Sequence, residues 1–299
     1  MADKPTIMLL GATGQVGFEL QRSLAPFGPL LSPSRAELDL TDRDAINRAL
    51  HAGRPGLIVN AAAFTAVDAA EDQPNEAAAL NTDLPAILAD YAAREAIPLI
   101  HYSTDYVYAG TGTMPWREDD PMEPASVYGQ TKAAGDRAIQ ASGAEHLVFR
   151  TSWVYSARGR NFLKTLLRLA GERSTLQVVN DQIGAPTPAR LIAEVTAQAI
   201  DPRTYRFRID AGVYHLAPRG ETSWHGFARA IVHEAIRSGF PSTLQPDAIA
   251  PISTAEWPTP AARPLNSRLS LDRLQTALGL ALPHWESQLE LTLAEVTGP

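Results

Sequence analysis

The stretch Thr6-Ile7-Met8-Leu9-Leu10, followed at once by Gly11-Ala12-Thr13-Gly14-Gln15-Val16-Gly17, does most to constrain what this chain can fold into. The first five residues read as a buried strand, and the segment after the glycines carries the spacing of an amphipathic helix ending near Pro26. Strand, glycine turn and helix together form the opening unit of a doubly wound α/β sheet. The glycines allow a tight turn and a close backbone approach to a ligand, and the unpaired N–H groups of the helix start favour a pyrophosphate there. The spacing is G-x-x-G-x-x-G rather than G-x-G-x-x-G, and an ordinary βα turn is the competing explanation. Gly11, Thr13, Gly14, Gln15, Val16 and Gly17 are therefore candidate dinucleotide contacts.

The strand-helix alternation continues along the chain. Leu30-Leu31-Ser32 is a second strand, and Ser32-Pro33-Ser34-Arg35 stands where an NAD-selective site carries an acidic residue for the ribose 2′-hydroxyl. Arg35 can face a 2′-phosphate instead, which favours NADPH over NADH. Asp39 and Leu40 fall near an adenine, and Thr41 is the expected N-cap of the next helix, with Asp44 three residues on. Residues 57–63 form a third strand running into the small residues Ala62 and Ala63, which let a cofactor approach. After a helix over 81–94, Pro98-Leu99-Ile100-His101-Tyr102 is a fourth strand ending in Ser103-Thr104-Asp105. That end is the sheet edge at which open α/β folds bind ligands. A helix over 126–142 and a fifth strand over 146–150 complete the pattern.

This predicts an α/β fold with a doubly wound, Rossmann-like parallel sheet. Beyond it the pattern loosens, with helices over 161–170, 188–200, 223–238 and near 283–296, and short strands at 176–179 and 213–216. The expected division is a dinucleotide-binding domain over 1–155 and a smaller mixed α/β substrate lobe over 156–299, with segments of the second interleaved in the first.

Tyr128 and Lys132 lie four apart on the helix over 126–142, so their Cβ atoms share a face about 5–6 Å apart. An ammonium beside a phenol favours the phenolate and brings proton transfer within range of neutrality. Such a pair alone is equally a solvated helix face; the glycine turn and Thr104 give it chemical weight. Thr104 alone is equally a capping hydroxyl.

Composition narrows the rest. The net charge of −7 argues against a general nucleic-acid or membrane-surface binder, and the absence of Cys excludes disulfides, thiolate zinc and thiol nucleophiles. Met1-Ala2-Asp3-Lys4-Pro5 leads into a strand-length apolar run with no signal-like segment, and no apolar stretch approaches membrane-spanning length. A cytoplasmic protein is expected.

With the glycine turn, Asn60-Ala61-Ala62-Ala63, Ser103-Thr104-Asp105-Tyr106-Val107-Tyr108 and Tyr128-x-x-x-Lys132 in order, the chain resembles the extended short-chain dehydrogenase/reductases. Phe64-Thr65-Ala66-Val67-Asp68-Ala69-Ala70-Glu71, Arg150-Thr151-Ser152-Trp153-Val154-Tyr155, Asn180-Asp181-Gln182-Ile183-Gly184-Ala185-Pro186-Thr187 and Arg263-Pro264-Leu265-Asn266-Ser267-Arg268-Leu269 narrow this resemblance to the dTDP-4-dehydrorhamnose reductases.

The resemblance implies a dTDP-sugar substrate and NADPH, or NADH, as hydride source. Thr104, Tyr128 and Lys132 would be catalytic. Tyr128 would donate the proton while Lys132 lowers its pKa and holds the nicotinamide ribose. Thr65 and Tyr102 join the cofactor contacts, and Thr104, Asp105, Tyr106 and Trp153 the substrate contacts. Two other readings keep the fold: an epimerase or dehydratase retaining NAD, and a dinucleotide-binding regulatory subunit. Tyr106 rather than Glu after Thr104-Asp105 speaks against the dehydratase, and the intact Thr104, Tyr128 and Lys132 set speaks against the regulatory subunit.

Some relatives are described as holding Mg²⁺ between carboxylates of two subunits. Here Pro188-Ala189-Arg190 follows Thr187 where a Glu is expected, which counts against a Mg²⁺-bridged homodimer and leaves Glu19 and Glu295 as solvated surface. No metal ligand set is expected, and His101 and His215 are read as structural.

Overall fold

The computed structural model describes residues 5–297; the reading made for Met1 to Lys4 lies outside the described residues. Five strands, β1 (Ile7–Leu10), β2 (Leu30–Leu31), β3 (Leu57–Asn60), β4 (Leu99–Thr104) and β5 (His146–Thr151), alternate with six helices. These are α1 (Gln15–Leu24), α2 (Arg43–Gly53), α3 (Val67–Asp72), α4 (Pro74–Ala78), α5 (Leu84–Glu95) and α6 (Val127–Ala141). The later chain adds β6 (Val154–Tyr155), α7 (Phe162–Glu172), β7 (Leu176–Val179), β8 (Ile183–Gly184), β9 (Thr187–Pro188), α8 (Ala189–Gln198) and β10 (Gly212–His215). It ends with β11 (Thr222–Ser223), α9 (Trp224–Arg237), β12 (Ile249–Ile252), β13 (Asn266–Ser267), α10 (Asp272–Leu278) and α11 (Trp285–Thr297).

The central sheet has the order β10-β5-β4-β3-β1-β2 and is parallel throughout. Its strands are apolar on both faces because both are covered. Ile7 and Leu9 pack with Leu20 and Leu24 of α1 and Leu191, Ile192 and Val195 of α8. Met8 and Leu10 pack on the other side with Ile46 and Leu50 of α2, Leu88 and Tyr91 of α5 and Ile139 of α6. The sixth strand, β10, and the covering helix α8 both come from beyond residue 155. A separate core joins α7, α9 and α11 through Leu163, Leu166, Phe227, Ile231 and Leu289. Three small sheets, β11-β8-β13, β12-β7 and β6-β9, complete the later part of the chain.

Three local expectations change. Asp42, not Thr41, caps α2: its Oδ1 accepts the N–H groups of Asp44 (2.9 Å) and Ala45 (3.0 Å). A carboxylate suits the positive end of the helix, and Thr41 instead donates its N–H and hydroxyl to Asp39. The third strand stops at Asn60, leaving Ala61 to Ala63 outside the ladder. The helix expected over 81–94 is broken before Leu84 by a π turn, Ala79–Asp83, which turns the Asn81 side chain inward, fully buried. It bonds Phe64 N–H and C=O and the Thr131 hydroxyl, tying the loop after β3 to α6.

Candidate active site

The turn after β1 makes a cradle. Gly11 has φ +78°, and a Cβ there would come within 2.6 Å of the Ala61 and Ala62 backbone. A Cβ at Gly17 would lie 2.1 Å from the Gly11 carbonyl, so the helix can enter this closely only with glycine. Gly14 begins α1 with no side-chain cap, which leaves its first N–H groups to a ligand. These features fit a dinucleotide pyrophosphate. Gln15 is engaged from far along the chain: its Oε1 accepts from Ser156 Oγ (3.0 Å) and Asn161 Nδ2 (2.8 Å). Arg158 stacks over the Phe18 ring at 3.6 Å in the same loop. Val16 packs on the core, and Thr13 is exposed beside the turn.

Among the other cofactor candidates, Arg35 and Thr65 are exposed in the loops that follow β2 and β3, and Leu40 and Ala62 pack against the core. Ala63 is half-buried. The Asp39 carboxylate, held below its usual range by the Thr41 N–H and hydroxyl, is turned to Thr41. Tyr102 faces the site through its backbone rather than its side chain. Its ring lies in the core against Phe149 and its hydroxyl meets Thr196 Oγ1 at 2.8 Å, so only its carbonyl reaches the site. Side chains alternate along a strand, and His101 takes the site-facing direction.

β4 delivers Thr104 to the carboxyl edge, where the chain turns into the 3₁₀ segment Asp105–Val107. Thr104 Oγ1 donates to Asp105 Oδ1 (3.0 Å) and accepts the Tyr106 N–H (3.2 Å). Ser126 caps α6 by accepting the Gly129 N–H, which sets Tyr128 in the first turn and Lys132 in the next. The Tyr128 phenol hydrogen-bonds Thr104, and its ring meets Tyr106 in a T-shaped contact at 5.4 Å. Lys132 is buried; its Nζ donates to the Tyr102 carbonyl (2.7 Å) and lies 3.1 Å from His101 Nε2.

The electrostatics differ from expectation at Tyr128. Burial pushes its phenol above the ordinary value of about 10, against the pull of the Thr104 hydrogen bond, and Lys132 is not among the causes. The Lys132 hydrogen bonds are directed at Tyr102 and His101. A neutral phenol that keeps its proton at pH 7 is nonetheless what a proton donor requires. Burial brings Lys132 down to about 8 and raises Asp105 to about 6, the latter opposed by hydrogen bonds with Ser267 and Thr104.

The substrate candidates Asp105, Tyr106 and Trp153 converge here through residues the sequence reading left without a role. Ser267 of β13 bonds Asp105, and its register partner Gly184 lies against the Trp153 ring. Trp153, at φ +50°, stacks on Trp224 with centroids 3.8 Å apart. Arg263 donates to the Tyr106 hydroxyl (3.2 Å) and pairs with Asp68 (2.6 Å). A polar His and Asn inside the otherwise apolar β4 and β3 were the available signal for His101 and Asn60. Arg263 and Ser267 lie in a segment that carries the family resemblance, but neither was given a role, and Trp224 carries no signal, since only the fold brings these segments to the sheet edge.

His215 is structural as expected, bonded to the Tyr108 hydroxyl and the Ser270 carbonyl. Glu19 is not solvated surface. It is buried where α1 meets α8, 3.4 Å from Arg190 Nε, and Arg190 also pairs with Glu295. A guanidinium therefore stands between the two carboxylates.

The RmlD substrate binding domain family matches residues 5–297. The dTDP-4-dehydrorhamnose reductase of Salmonella typhimurium is 46% identical over 97% of each chain, and that of Burkholderia thailandensis is 43% identical over 97% of this chain and 98% of its own. Among solved structures, a dTDP-4-dehydrorhamnose reductase from Clostridium acetobutylicum superposes with a TM-score of 0.88 at 32% identity, covering 97% of this chain and 99% of its own. The Bacillus anthracis reductase, solved in complex with NADP, gives 0.87 at 30% identity over 98% and 99%.

Proposed function

We infer that the chain, which belongs to the RmlD family of dTDP-4-dehydrorhamnose reductases, reduces the C4 ketone of dTDP-4-dehydro-L-rhamnose to dTDP-L-rhamnose with NADPH. The observation that carries this reading is the Thr104, Tyr128 and Lys132 constellation at the sheet edge beside the glycine cradle.

Bound NADPH supplies a hydride to C4. The remaining work falls to side chains. Tyr128 gives its phenolic proton to the ketone oxygen. Thr104, one hydrogen bond from that phenol, turns its hydroxyl from Asp105 toward the same oxygen, where a donor aimed at developing charge is worth roughly 2.7–4 kcal/mol. Lys132, anchored on the Tyr102 carbonyl, holds the nicotinamide ribose. The uncapped start of α1 takes the pyrophosphate, and Arg35 the 2′-phosphate. Trp153, Tyr106 and Asp105 bound the sugar end.

Among the described residues no helix is long and apolar enough to cross a membrane. Together with the absence of Cys, this supports a cytoplasmic setting.

The deciding experiment is NADPH oxidation by purified protein, with dTDP-4-dehydro-L-rhamnose generated in the same tube from dTDP-glucose. Substrate-dependent consumption yielding dTDP-L-rhamnose is expected. A folded protein that binds NADPH but consumes none would overturn the reading.

A further inference from the structure

β3 and β4 lie side by side with Asn60 opposite His101, and α6 lays Lys132 over both. All three side chains are fully buried, so the donor and acceptor roles along the group have to be mutually consistent. The bonding pattern can be read in sequence. Asn60 Oδ1 accepts the Ala62 N–H at 3.1 Å, which leaves Asn60 Nδ2 as the group 3.1 Å from His101 Nδ1. An amide nitrogen only donates, so Nδ1 must supply the lone pair. Burial holds His101 neutral, and a neutral imidazole has one hydrogen, which is then on Nε2. That N–H points at Lys132 Nζ, 3.1 Å away.

An ammonium has no lone pair to receive it; an amine has one, and still keeps a hydrogen for the Tyr102 carbonyl at 2.7 Å. The charged groups on the surrounding elements do not reverse this balance. Asp136, one turn along α6, favours the ammonium but is itself paired to Arg150 of β5 at 3.0 Å. Tyr128 on the same helix is a neutral phenol. β3 presents Asn60, and β4 presents His101 and the Tyr102 carbonyl.

We propose that His101, oriented by Asn60, is a positioning residue that fixes Lys132 against the Tyr102 carbonyl and lets it exchange between ammonium and amine during turnover. The demand for a lone pair acts in the same direction as burial, which already brings Lys132 down to about 8. The kinetic consequence rests on the reductase reading; the bonding pattern does not, and is measured without substrate.

Two measurements test it. In ¹⁵N-histidine-labelled protein without substrate, the His101 resonances, assigned by their loss in His101→Gln, should report hydrogen on Nε2 and a bare Nδ1 across pH 6–9. Hydrogen on Nδ1 would overturn the proposal whether or not the protein reduces the sugar. The Gln variant can turn a carbonyl oxygen toward Nζ, so the alkaline limb of its kcat–pH profile should move up by about one pH unit. A lower kcat with an unmoved limb would reduce His101 to packing and overturn the proposal equally.

Discussion

Tyr128 keeps its proton at neutral pH because burial withholds water from a phenolate, and that makes its hydroxyl the dispensable atom to test. Tyr128→Phe preserves the edge contact with Tyr106 and removes only the donor, so kcat should fall by about 10²–10⁴-fold with little change in NADPH affinity by fluorescence titration. A variant retaining more than roughly a tenth of kcat would take the acid role away from Tyr128. Arg35 is exposed, and a 2′-phosphate is its expected partner. Arg35→Ala should raise KM for NADPH by roughly 3- to 10-fold more than KM for NADH; equal effects on the two would leave it as ordinary surface. Asp105 makes a stability statement. Its raised value, about 6, means the folded protein binds this proton more tightly than the unfolded chain, whose carboxyl titrates near 3.9. Its stabilising contribution is complete below that unfolded value and is lost as pH rises through 6. Asp105→Asn keeps an oxygen for the Thr104 hydroxyl without the buried charge. It should gain about 1–3 kcal/mol in urea unfolding at pH 7.5 and almost nothing at pH 4. A gain of equal size at both pH values would show that the charge is not the cause. At this scale the Tyr128 and Lys132 pair was readable because a spacing of four fixes a shared helix face, whereas the direction of the Tyr128 shift depends on burial, which spacing does not encode.

The α6 helix is the element on which the site is mounted, and a buried ion pair holds it to the sheet. Asp136 accepts from Arg150 Nε at 3.0 Å, and Arg150 also donates to the Tyr108 hydroxyl and the Glu118 carbonyl. Both partners are shut off from water, so removing one strands the other. Asp136→Ala should therefore cost about 3–5 kcal/mol, read as a lower urea midpoint at unchanged m. The double replacement Asp136→Leu with Arg150→Met should recover most of that loss. An unshifted midpoint for the single variant would mean that water reaches Arg150. The helix also crosses the π turn closely: a Cβ at Gly135 would lie 2.1 Å from the Asn81 carbonyl. The long elements were legible because their apolar periodicity is local. The two-residue strands β6, β8, β9, β11 and β13 hold too few residues to show any period, and their partners are far away in sequence. The strand at 213–216 was visible as a strand, but its place as sixth member of the main sheet beside β5 is a tertiary fact.

Across the whole molecule, α1, α8 and α11 meet at one charged contact in which Arg190 lies between Glu19 and Glu295. α1 and α11 come from opposite ends of the sequence, so the contact through α8 ties the opening βα unit to the closing helix. The acidic pair was visible in the sequence only as two separate carboxylates, because their meeting depends on α8 packing against α1. Once they meet, their charge has to be balanced, and the Glu19 carboxylate is too buried for water to do it. Arg190 does so with its guanidinium, which pairs with both acids. A divalent ion at the same place would have to displace a guanidinium already hydrogen-bonded to Glu19, and so gains little from binding. Treatment with EDTA should accordingly leave the melting temperature, the sedimentation coefficient and the rate of NADPH oxidation unchanged. Arg190→Ala should behave differently: with the two carboxylates facing each other, the melting temperature should fall by a few degrees, corresponding to about 1–3 kcal/mol, and millimolar Mg²⁺ should restore part of it. A wild-type protein that loses stability or changes its sedimentation in EDTA would show that a metal, and not Arg190, balances these acids.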